Sequence, residues 1–99
     1  MIDKRSHYIN GTWVASQGGT DAPVYNPASE EPYATISLGS AADAKAAIIA
    51  ARTAFPVWSA TTPGSRGEVL KKILAVYETH ASDMAEAIST EMGAPIDRR

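Results

Sequence analysis

The order of local sequence signals predicts an α/β fold class, with short N-terminal strands followed by three helices. Strand-forming residues flank an Asn-Gly pair near the N-terminus, apolar and polar residues alternate before residue 40, and helix caps and breakers recur after it. Strands and turns therefore occupy residues 7–39, and helices occupy residues 40–97, of one segment that spans residues 1–99. Taken by itself the chain is α+β, because its strands and helices are segregated along the sequence.

The stretch HYINGTWVA, residues 7–15, predicts a tight β-hairpin. Asn10 and Gly11 are a favoured pair for a two-residue type I′ loop, because both positions of that loop need a positive φ. The aromatic and β-branched residues on both sides are good strand formers. Since an isolated two-stranded hairpin is only marginally stable in water, we expect this one to pack on a neighbouring element. Turning the chain, rather than binding a ligand, is the favoured interpretation.

Between the hairpin and residue 40, the sequence predicts a loop, a short extended piece, a turn and a strand. Residues 16–23 are assigned to the loop because turn-forming residues dominate them. The extended piece VYNP stops at its Asn-Pro pair, and residues 28–32 form a polar turn. Residues 33–38 form a half-buried strand, because every second residue there is apolar.

The first helix begins at Ser40. Ser40 and Asp43 resemble a capping box, in which each side chain accepts a hydrogen bond from the backbone of the other residue. Pro56 is predicted to end this helix, because proline removes a donor from the hydrogen-bond ladder, and Trp58 then lies in the connection. The apolar stripe at helical spacing consists of Ala44, Ala47, Ile48, Ala51 and Phe55.

The second and third helices have clear boundaries. Thr62 is a cap residue, and Pro63 suits the first helical position that follows it. The third helix begins near Ser82 and closes at Gly93, and a further helix could begin at Pro95. The predicted inward faces are Leu70, Ile73, Leu74 and Tyr77 in the second helix, and Met84, Ala85, Ile88 and Met92 in the third.

The composition is globular but supplies little material for a core. Of the 44 hydrophobic residues, 18 are alanine, which buries little surface. The chain is therefore either a tight alanine-packed helical unit or part of something larger that supplies the missing surface. A net charge of −2 predicts no nucleic-acid partner, and no apolar run approaches the roughly 20 residues that span a membrane. Cysteine is absent, which fits a reducing cytoplasm and leaves no thiol nucleophile.

Two acidic residues and one glycine-containing stretch are weak candidates for a chemical site. Glu30 and Glu31 could act as paired carboxylates, but neighbours on a turn usually point apart into water. The stretch PGSRGE, residues 63–68, lacks the Lys-Ser/Thr ending of a phosphate-binding loop. The simpler interpretation is a helix start at which Arg66 pairs with a nearby acid.

The two histidines are weak candidates for a metal site. His80 is predicted in the last turn of the second helix, and it would need His7 and a third ligand such as Asp83 to hold a metal ion. Nothing in the spacing requires this arrangement. From the residues alone we predict no catalytic, cofactor-binding or metal-binding residue in the chain.

The order of several short motifs resembles the N-terminal region of NAD(P)-dependent aldehyde dehydrogenases. The motifs are YINGTW, VYNPASEEPYATI, DAKAAIIAARTAFPVWSATTPGSRGEVLKKI and ISTEMGAP, and together they span roughly residues 8–97. One departure is the turn Glu30-Glu31-Pro32, where the family commonly has a Thr-Gly-Glu type turn. The resemblance implies that these elements belong to the cofactor-binding half of the enzyme and pack on a sheet built by later residues.

The resemblance also implies an oxidoreductase that converts an aldehyde to a carboxylic acid with NAD or NADP. The family's catalytic thiol, glutamate base and dinucleotide-binding segment lie downstream, so no site residue is carried over. The 99 residues alone are expected to be inert and to hold no cofactor. The backbone near Val24 and Tyr25 matches a cation-holding place in some members, whose other ligands lie downstream. The implied partners are the remainder of a cytoplasmic parent enzyme, its aldehyde and further copies in a homo-oligomer.

A second class of function stays open, a complete helical interaction module. It would use the apolar face of the second helix to bind a partner or itself. Such a module would unfold cooperatively as a monomer, whereas a fragment would expose apolar surface and self-associate.

Overall fold

The structure is a computed structural model that describes residues 1–98. The strands are β1 (Ile2–Lys4), β2 (His7–Ile9), β3 (Thr12–Val14), β4 (Thr20–Asn26) and β5 (Glu31–Leu38). The helices are α1 (Ala41–Ser59), α2 (Pro63–Thr79) and α3 (Ala81–Met92), followed by the 3-10 turn Ile96–Arg98. The predicted order of strands followed by three helices is confirmed. Where a further helix was predicted after Pro95, the described residues form only the 3-10 turn.

The predicted hairpin is present as β2 and β3. Asn10 and Gly11 form its loop with φ values of 54° and 78°, as the type I′ turn requires. Tyr8 pairs with Trp13 across the strands, with ring centroids 5.1 Å apart and an angle of 67° between the rings. Such an edge-to-face pair contributes about 0.5–1.5 kcal/mol beyond the area that it buries. The hairpin packs on α1, which is the neighbour that it was expected to need.

A separate sheet has the strand order β1, β5, β4. Strand β4 is antiparallel to β5, and β1 pairs with β5 in parallel. The prediction of a loop over residues 16–23 is wrong for its second half, because β4 begins at Thr20. Pro23 is tolerated because β4 lies at the sheet edge, where its missing N–H is not needed. Strand β1 was not predicted, because its three residues carry no local strand signal and pair only with the distant β5.

The start of α1 is as predicted. Ser40 Oγ accepts a hydrogen bond from the Asp43 N–H at 3.1 Å, and the Asp43 carboxylate accepts one from the Ser40 N–H at 2.9 Å. Both halves of the capping box are therefore formed. A capping residue of this kind stabilises a helix by about 1 kcal/mol.

The end of α1 differs from the prediction. The helix continues through Pro56 to Ser59, so Trp58 lies in its last turn and not in the connection. Pro56 removes one backbone donor, but its fixed φ is compatible with the helix and only one further turn follows. Hydroxyl groups satisfy the last carbonyls, because Ser59 Oγ donates to that of Pro56 at 3.1 Å and Thr61 Oγ1 donates to that of Trp58 at 2.6 Å.

Helices α2 and α3 begin as predicted. Thr62 caps α2 by accepting a hydrogen bond from the Ser65 N–H at 3.1 Å. Helix α3 begins one residue earlier than predicted, and Gly93 closes it in the left-handed conformation with φ of 77°. The prediction for His80 is wrong by one position, since this residue follows the last turn of α2 and links it to α3.

The elements are spread out rather than gathered around one core. The Cα radius of gyration is 17.2 Å, whereas a compact domain of about 100 residues has about 13 Å. Within the described residues, α1 and α2 do not pack on each other. Helix α1 contacts β2, while α3 contacts α2 and β4. Ala34 and Ala85 are the buried apolar residues of this range, 4% and 3% exposed. The small core therefore lies where α3 meets the sheet.

Candidate functional site

An uncovered apolar face on α2 is the clearest candidate for an interaction site. We call it the α2 face, and it consists of Leu70, Ile73, Leu74 and Tyr77. Spacings of three and four residues place these side chains on one side of the helix. Between 49% and 64% of each residue's surface is exposed. The spacing of the predicted inward stripe is therefore right, but the described part of the chain does not bury it.

Helix α1 is uncovered in the same way over its second half. Phe55, which belongs to the predicted apolar stripe, is exposed, and so are Val57 and Trp58 in the last turn. Ile48 and Ile49, about two turns before Phe55 and near the middle of the helix, are also more than half exposed. Since α1 packs on β2 through only part of its length, the rest of the helix offers apolar surface for a partner.

The total surface area shows how much is left uncovered. The accessible surface is 7776 Å², whereas a compact monomer of 10.5 kDa has about 5,400 Å². The excess of about 2,300 Å² on this chain is larger than the roughly 800 Å² that each partner buries in a standard-size protein interface. The uncovered faces are thus large enough to form an interface with a substantial partner.

A polar junction fixes the start of α1 against the loop before β4, and we call it the Asp43 junction. Asp43 is buried and accepts hydrogen bonds from Ser16 Oγ at 2.5 Å and from the Gln17 N–H at 2.8 Å. Ser40 Oγ donates to the carbonyl of Gln17 at 2.6 Å. The capping box of α1 therefore holds the loop as well as the helix. The sequence pattern revealed only the capping role, because the loop partners lie far away in the chain.

The electrostatics of the Asp43 junction favour a structural role. Hydrogen bonds, first of all that from Ser16, hold the pKa of Asp43 well below its usual range. His7 Nδ1 lies 3.9 Å from the carboxylate, and His7 Nε2 lies 3.2 Å from the carbonyl oxygen of Ser37. In a catalytic triad the serine donates its proton to the histidine, whereas here Ser16 donates to Asp43. The cluster therefore joins the hairpin, β5 and α1 without activating Ser16.

The two adjacent glutamates lie in solvent. Glu30 has a φ of 62° in the turn before β5, and its N–H donates to the carbonyl of Asn26 at 2.7 Å. Glu31 occupies the first position of β5. Both residues are exposed. Their arrangement therefore gives no support to a pair of catalytic carboxylates.

The glycine-containing start of α2 is already occupied by internal hydrogen bonds. Thr62 Oγ1 accepts a hydrogen bond from the Ser65 N–H, one of the first backbone donors of the helix. The Arg66 guanidinium turns back to donate to the carbonyl of Thr61 at 2.5 Å. The prediction that Arg66 pairs with an acid is wrong, because its guanidinium donates to Thr61 instead of to a nearby carboxylate. This helix start is built as a capped terminus and not as a phosphate cradle.

The histidines are separated in the structure. His80 Nδ1 lies 3.0 Å from the Asp83 carboxylate in an exposed pair, whereas His7 belongs to the Asp43 junction. Within residues 1–98, no three His, Asp or Glu side chains come close enough together to hold a metal ion. In the same range, none of the helices combines the length and the apolar character needed to cross a bilayer.

The pairing between β4 and β5 is irregular near the end of β4. Val24 pairs with Ala34 and Tyr25 pairs with Pro32, so Tyr33 has no partner between them and a β-bulge results. A bulge bends the strand that contains it. Here that strand is β5, and the bulge lies close to the turn that joins β4 to β5.

Comparison with known sequences relates this geometry to one family. The model of the aldehyde dehydrogenase family matches residues 13–99. A 3-succinoylsemialdehyde-pyridine dehydrogenase from a Pseudomonas species is 42% identical over 96 residues, which are 97% of this chain and 20% of that protein. The chain therefore spans about one fifth of the length of the curated relatives that it matches.

Solved structures have the same fold over the matched region. An aldehyde dehydrogenase from Bartonella henselae superposes with a TM-score of 0.96 at 50% identity, covering 98% of this chain and 20% of that one. A mutant of aldehyde dehydrogenase C from Pseudomonas syringae, solved with NAD+ and octanal, superposes with a TM-score of 0.88 at 42% identity. This match covers 94% of this chain and 19% of that one. The matched region is the N-terminal fifth of these proteins.

Proposed function

Since the chain belongs to the aldehyde dehydrogenase family, we propose that it is the N-terminal scaffold portion of an oxidoreductase that oxidises an aldehyde to a carboxylic acid with NAD or NADP. Residues 1–99 form one segment of the cofactor-binding half in this proposal. The family match and the fifth of their length that the chain shares with its relatives support it.

The observation that carries the proposal is the uncovered α2 face on an otherwise family-like fold. The chain superposes on its matched region with a TM-score of 0.96, yet Leu70 and its neighbours on α2 are about half exposed or more. Burying each of these side chains would contribute about 1.5–3 kcal/mol. We assign the remainder of the parent polypeptide as the surface that covers the α2 face and the second half of α1.

The proposed role of the chain is to present these faces in a fixed arrangement. The Asp43 junction sets the start of α1 against the loop before β4. Ala85 on α3 packs into the small core near the sheet. The sheet and α3 thus form the part that the chain stabilises by itself, and α1 and α2 extend from it toward the parent.

The cofactor is assigned to the remainder of the parent. The Pseudomonas syringae relative was solved with NAD+, which supports a nicotinamide cofactor for the intact enzyme. Thr62 and Arg66 already fill the start of α2, and the Asp43 junction fills the start of α1, which supports placing the cofactor phosphates elsewhere in the parent. We therefore assign no cofactor contact to residues of this chain.

The catalytic residues are also assigned to the remainder. The sequence contains no cysteine, so a thiol that attacks an aldehyde must come from another part of the parent. We propose that the 99-residue chain alone has no aldehyde dehydrogenase activity.

The cellular setting follows from the same proposal. The partners are the remainder of the parent enzyme, its aldehyde substrate and further copies in a homo-oligomer. A cysteine-free sequence with a net charge of −2 is compatible with the cytoplasm. Neither nucleic acid nor a membrane is included among the proposed partners.

A graft tests the proposed function. The chain replaces the matching N-terminal fifth of the Bartonella henselae enzyme. We expect this chimera to fold and to reduce NAD+ when an aldehyde is added, whereas the free chain reduces none. Leu70→Asp should abolish the activity of the chimera, because it would bury an unpaired charge. Lys72→Asp, on the opposite side of α2, is the matched control and should leave most of the activity.

Two results would count against the proposal. One is an unfolded or inactive chimera combined with cooperative unfolding of the free chain as a monomer, which would favour a self-sufficient interaction module. The other is equal activity of the Leu70→Asp and Lys72→Asp chimeras, which would show that the α2 face stays in solvent.

A further inference from the structure

Helix α3 covers one edge of the three-stranded sheet and leaves the neighbouring part of that face open. Its backbone comes close to that of β4 but, within the described residues, not to that of β5 or β1. A groove of about 470 Å³ lies between α3 and these strands, and we call it the α3 groove. Its apolar floor consists of Ile2, Val24, Tyr33, Ala34 and Ile36.

One wall of the α3 groove is acidic. Asp83, Glu86 and Glu91 line it, and all three belong to α3. Lys4 is the single basic residue among those that line the groove. The rim therefore carries an excess of negative charge around an apolar floor.

The position of the floor restricts the kind of segment that fits. It is the face of a sheet and not its edge, so it offers side chains and no free backbone hydrogen bonds. A segment buried there must satisfy its own N–H and C=O groups, which a helix does and a single strand does not. Helices are also the elements that normally cover a sheet face, and α3 already occupies the adjacent position.

We propose that the α3 groove docks an amphipathic helix from the remainder of the parent enzyme, with Lys or Arg side chains facing Asp83, Glu86 and Glu91. The source of the helix rests on the proposed function. The apolar floor supplies most of the favourable free energy, because burial of apolar surface dominates such contacts. The acidic rim fixes the orientation of the helix and selects against acidic segments.

Two probe peptides test the chemistry of the groove on the free chain. Both have the same leucine stripe, but one carries lysine on its flanks and the other carries glutamate. Because the chain has no cysteine, Thr90→Cys provides a single attachment point for an environment-sensitive fluorophore inside the groove. We expect the lysine peptide to bind at least tenfold more tightly than the glutamate peptide, and added salt to reduce this preference.

Charge-reversal variants show which residues cause the preference for the lysine peptide. Glu86→Lys combined with Glu91→Lys should reverse the preference between the two peptides. Glu68→Lys combined with Glu78→Lys makes the same change in charge on α2 and should leave the preference as it was. Equal affinity for the two peptides, or a reversal caused by the α2 pair, would overturn the proposed groove chemistry.

Crosslinking in the chimera tests the source of the helix. The Thr90→Cys chimera is treated with a thiol-to-amine crosslinker, and the chimera without this cysteine is the control. We expect the specific crosslinks to reach lysines on a helix downstream of the graft. An active chimera crosslinked only to strands or loops overturns the inference and leaves the proposed function intact. A chimera that fails to assemble counts against the proposed function, while the peptide titration still decides the chemistry of the groove.

Discussion

Two regions of the molecule differ in how far their apolar side chains are buried. One is the three-stranded sheet with α3, and the other is the pair of helices α1 and α2. Ala34 on β5 and Ala85 on α3 are almost fully buried. By contrast, Leu70 on α2 is 64% exposed although it is the larger side chain. The difference lies in which surfaces find a partner within the described residues.

This difference has a simple physical origin. A helix forms its hydrogen bonds locally, so caps such as Ser40 and Thr62 can define α1 and α2 without a tertiary partner. Most of the stability of a protein helix nevertheless comes from packing of its apolar face. The exposed faces of α1 and α2 therefore mark where a partner is needed, while the sheet and α3 mark what the chain supplies itself.

The largest effect is expected at Leu70. In the chimera, Leu70→Ala should reduce the free energy of unfolding by about 2–5 kcal/mol, because the side chain is buried there. In the free chain the same change should stay within about 0.5 kcal/mol, because the side chain is exposed. Denaturant unfolding of both proteins measures the two values. Equal values would remove the distinction between the two regions.

The next effect is expected inside the packed region. Ala85→Leu should destabilise the free chain by about 1–3 kcal/mol, because a larger side chain does not fit at a site that is 3% exposed. Ala75→Leu, at an exposed position on α2, is the matched control and should change stability by less than about 0.5 kcal/mol. Urea unfolding followed by tryptophan fluorescence compares them. A larger loss of stability for Ala75→Leu than for Ala85→Leu would contradict the assignment of the packed core to α3.

The two N-terminal caps should also differ. Thr62→Ala removes a cap from α2 alone and should cost about 0.5–1 kcal/mol. Ser40→Ala removes the cap of α1 together with the hydrogen bond to Gln17, so its cost should approach about 2 kcal/mol. The same urea experiment on the free chain compares the two variants. A smaller loss for Ser40→Ala would contradict the role of the Asp43 junction.

Replacing two glycines by alanine should change the stability of the chain in opposite directions. Gly93→Ala forces a side chain into the left-handed conformation, with its Cβ 3.1 Å from Cγ of Pro27, and should cost about 1–2 kcal/mol. Gly67 lies in α2 in open space, so Gly67→Ala should stabilise that helix by about 0.5–1 kcal/mol. Circular dichroism during thermal unfolding reports both changes. Stabilisation by Gly93→Ala would contradict the structure of the α3 end.

Acid titration should reveal the smallest change. The lowered pKa of Asp43 means that its carboxylate stabilises the folded chain above the unfolded pKa of about 4, and that this contribution is lost as the pH falls below about 4. The urea midpoint should therefore decrease from pH 5 to more acidic values, and less steeply in Asp43→Asn. The control is Asp3→Asn, because Arg5 lowers the pKa of Asp3 to about 2 but the pair is exposed and solvent screens it. If the urea midpoint fell equally steeply with pH in Asp43→Asn and in the unmodified chain, the stabilising role of the Asp43 carboxylate would be contradicted.

Local signals predicted most of the elements. The Asn10-Gly11 turn, the Ser40 and Thr62 caps and the Gly93 stop each depend on a few adjacent residues, and the structure contains all of them. The periodicity also identified the α2 face. Periodicity does not tell whether a stripe is buried within its own chain. The large share of alanine in the composition and the family resemblance indicated that surface was missing.

Features that depend on distant residues were not predicted. Strand β1 exists through its pairing with β5, and Asp43 holds Ser16 across a large separation in sequence. Gly19 is required because a Cβ there would collide with the backbone oxygen of Leu38, which becomes visible only once β4 and β5 pair. The α3 groove is a further case, because its floor and its acidic wall come from opposite ends of the chain.

Hydrogen exchange, measured residue by residue in the free chain and in the chimera, tests the central claim most directly. If α2 depends on a partner surface, its amides should exchange rapidly in the free chain and be strongly protected in the chimera. Amides of β5 should be protected in both proteins, because its hydrogen bonds lie within the chain. Equal protection of α2 in the free chain and in the chimera would contradict the account.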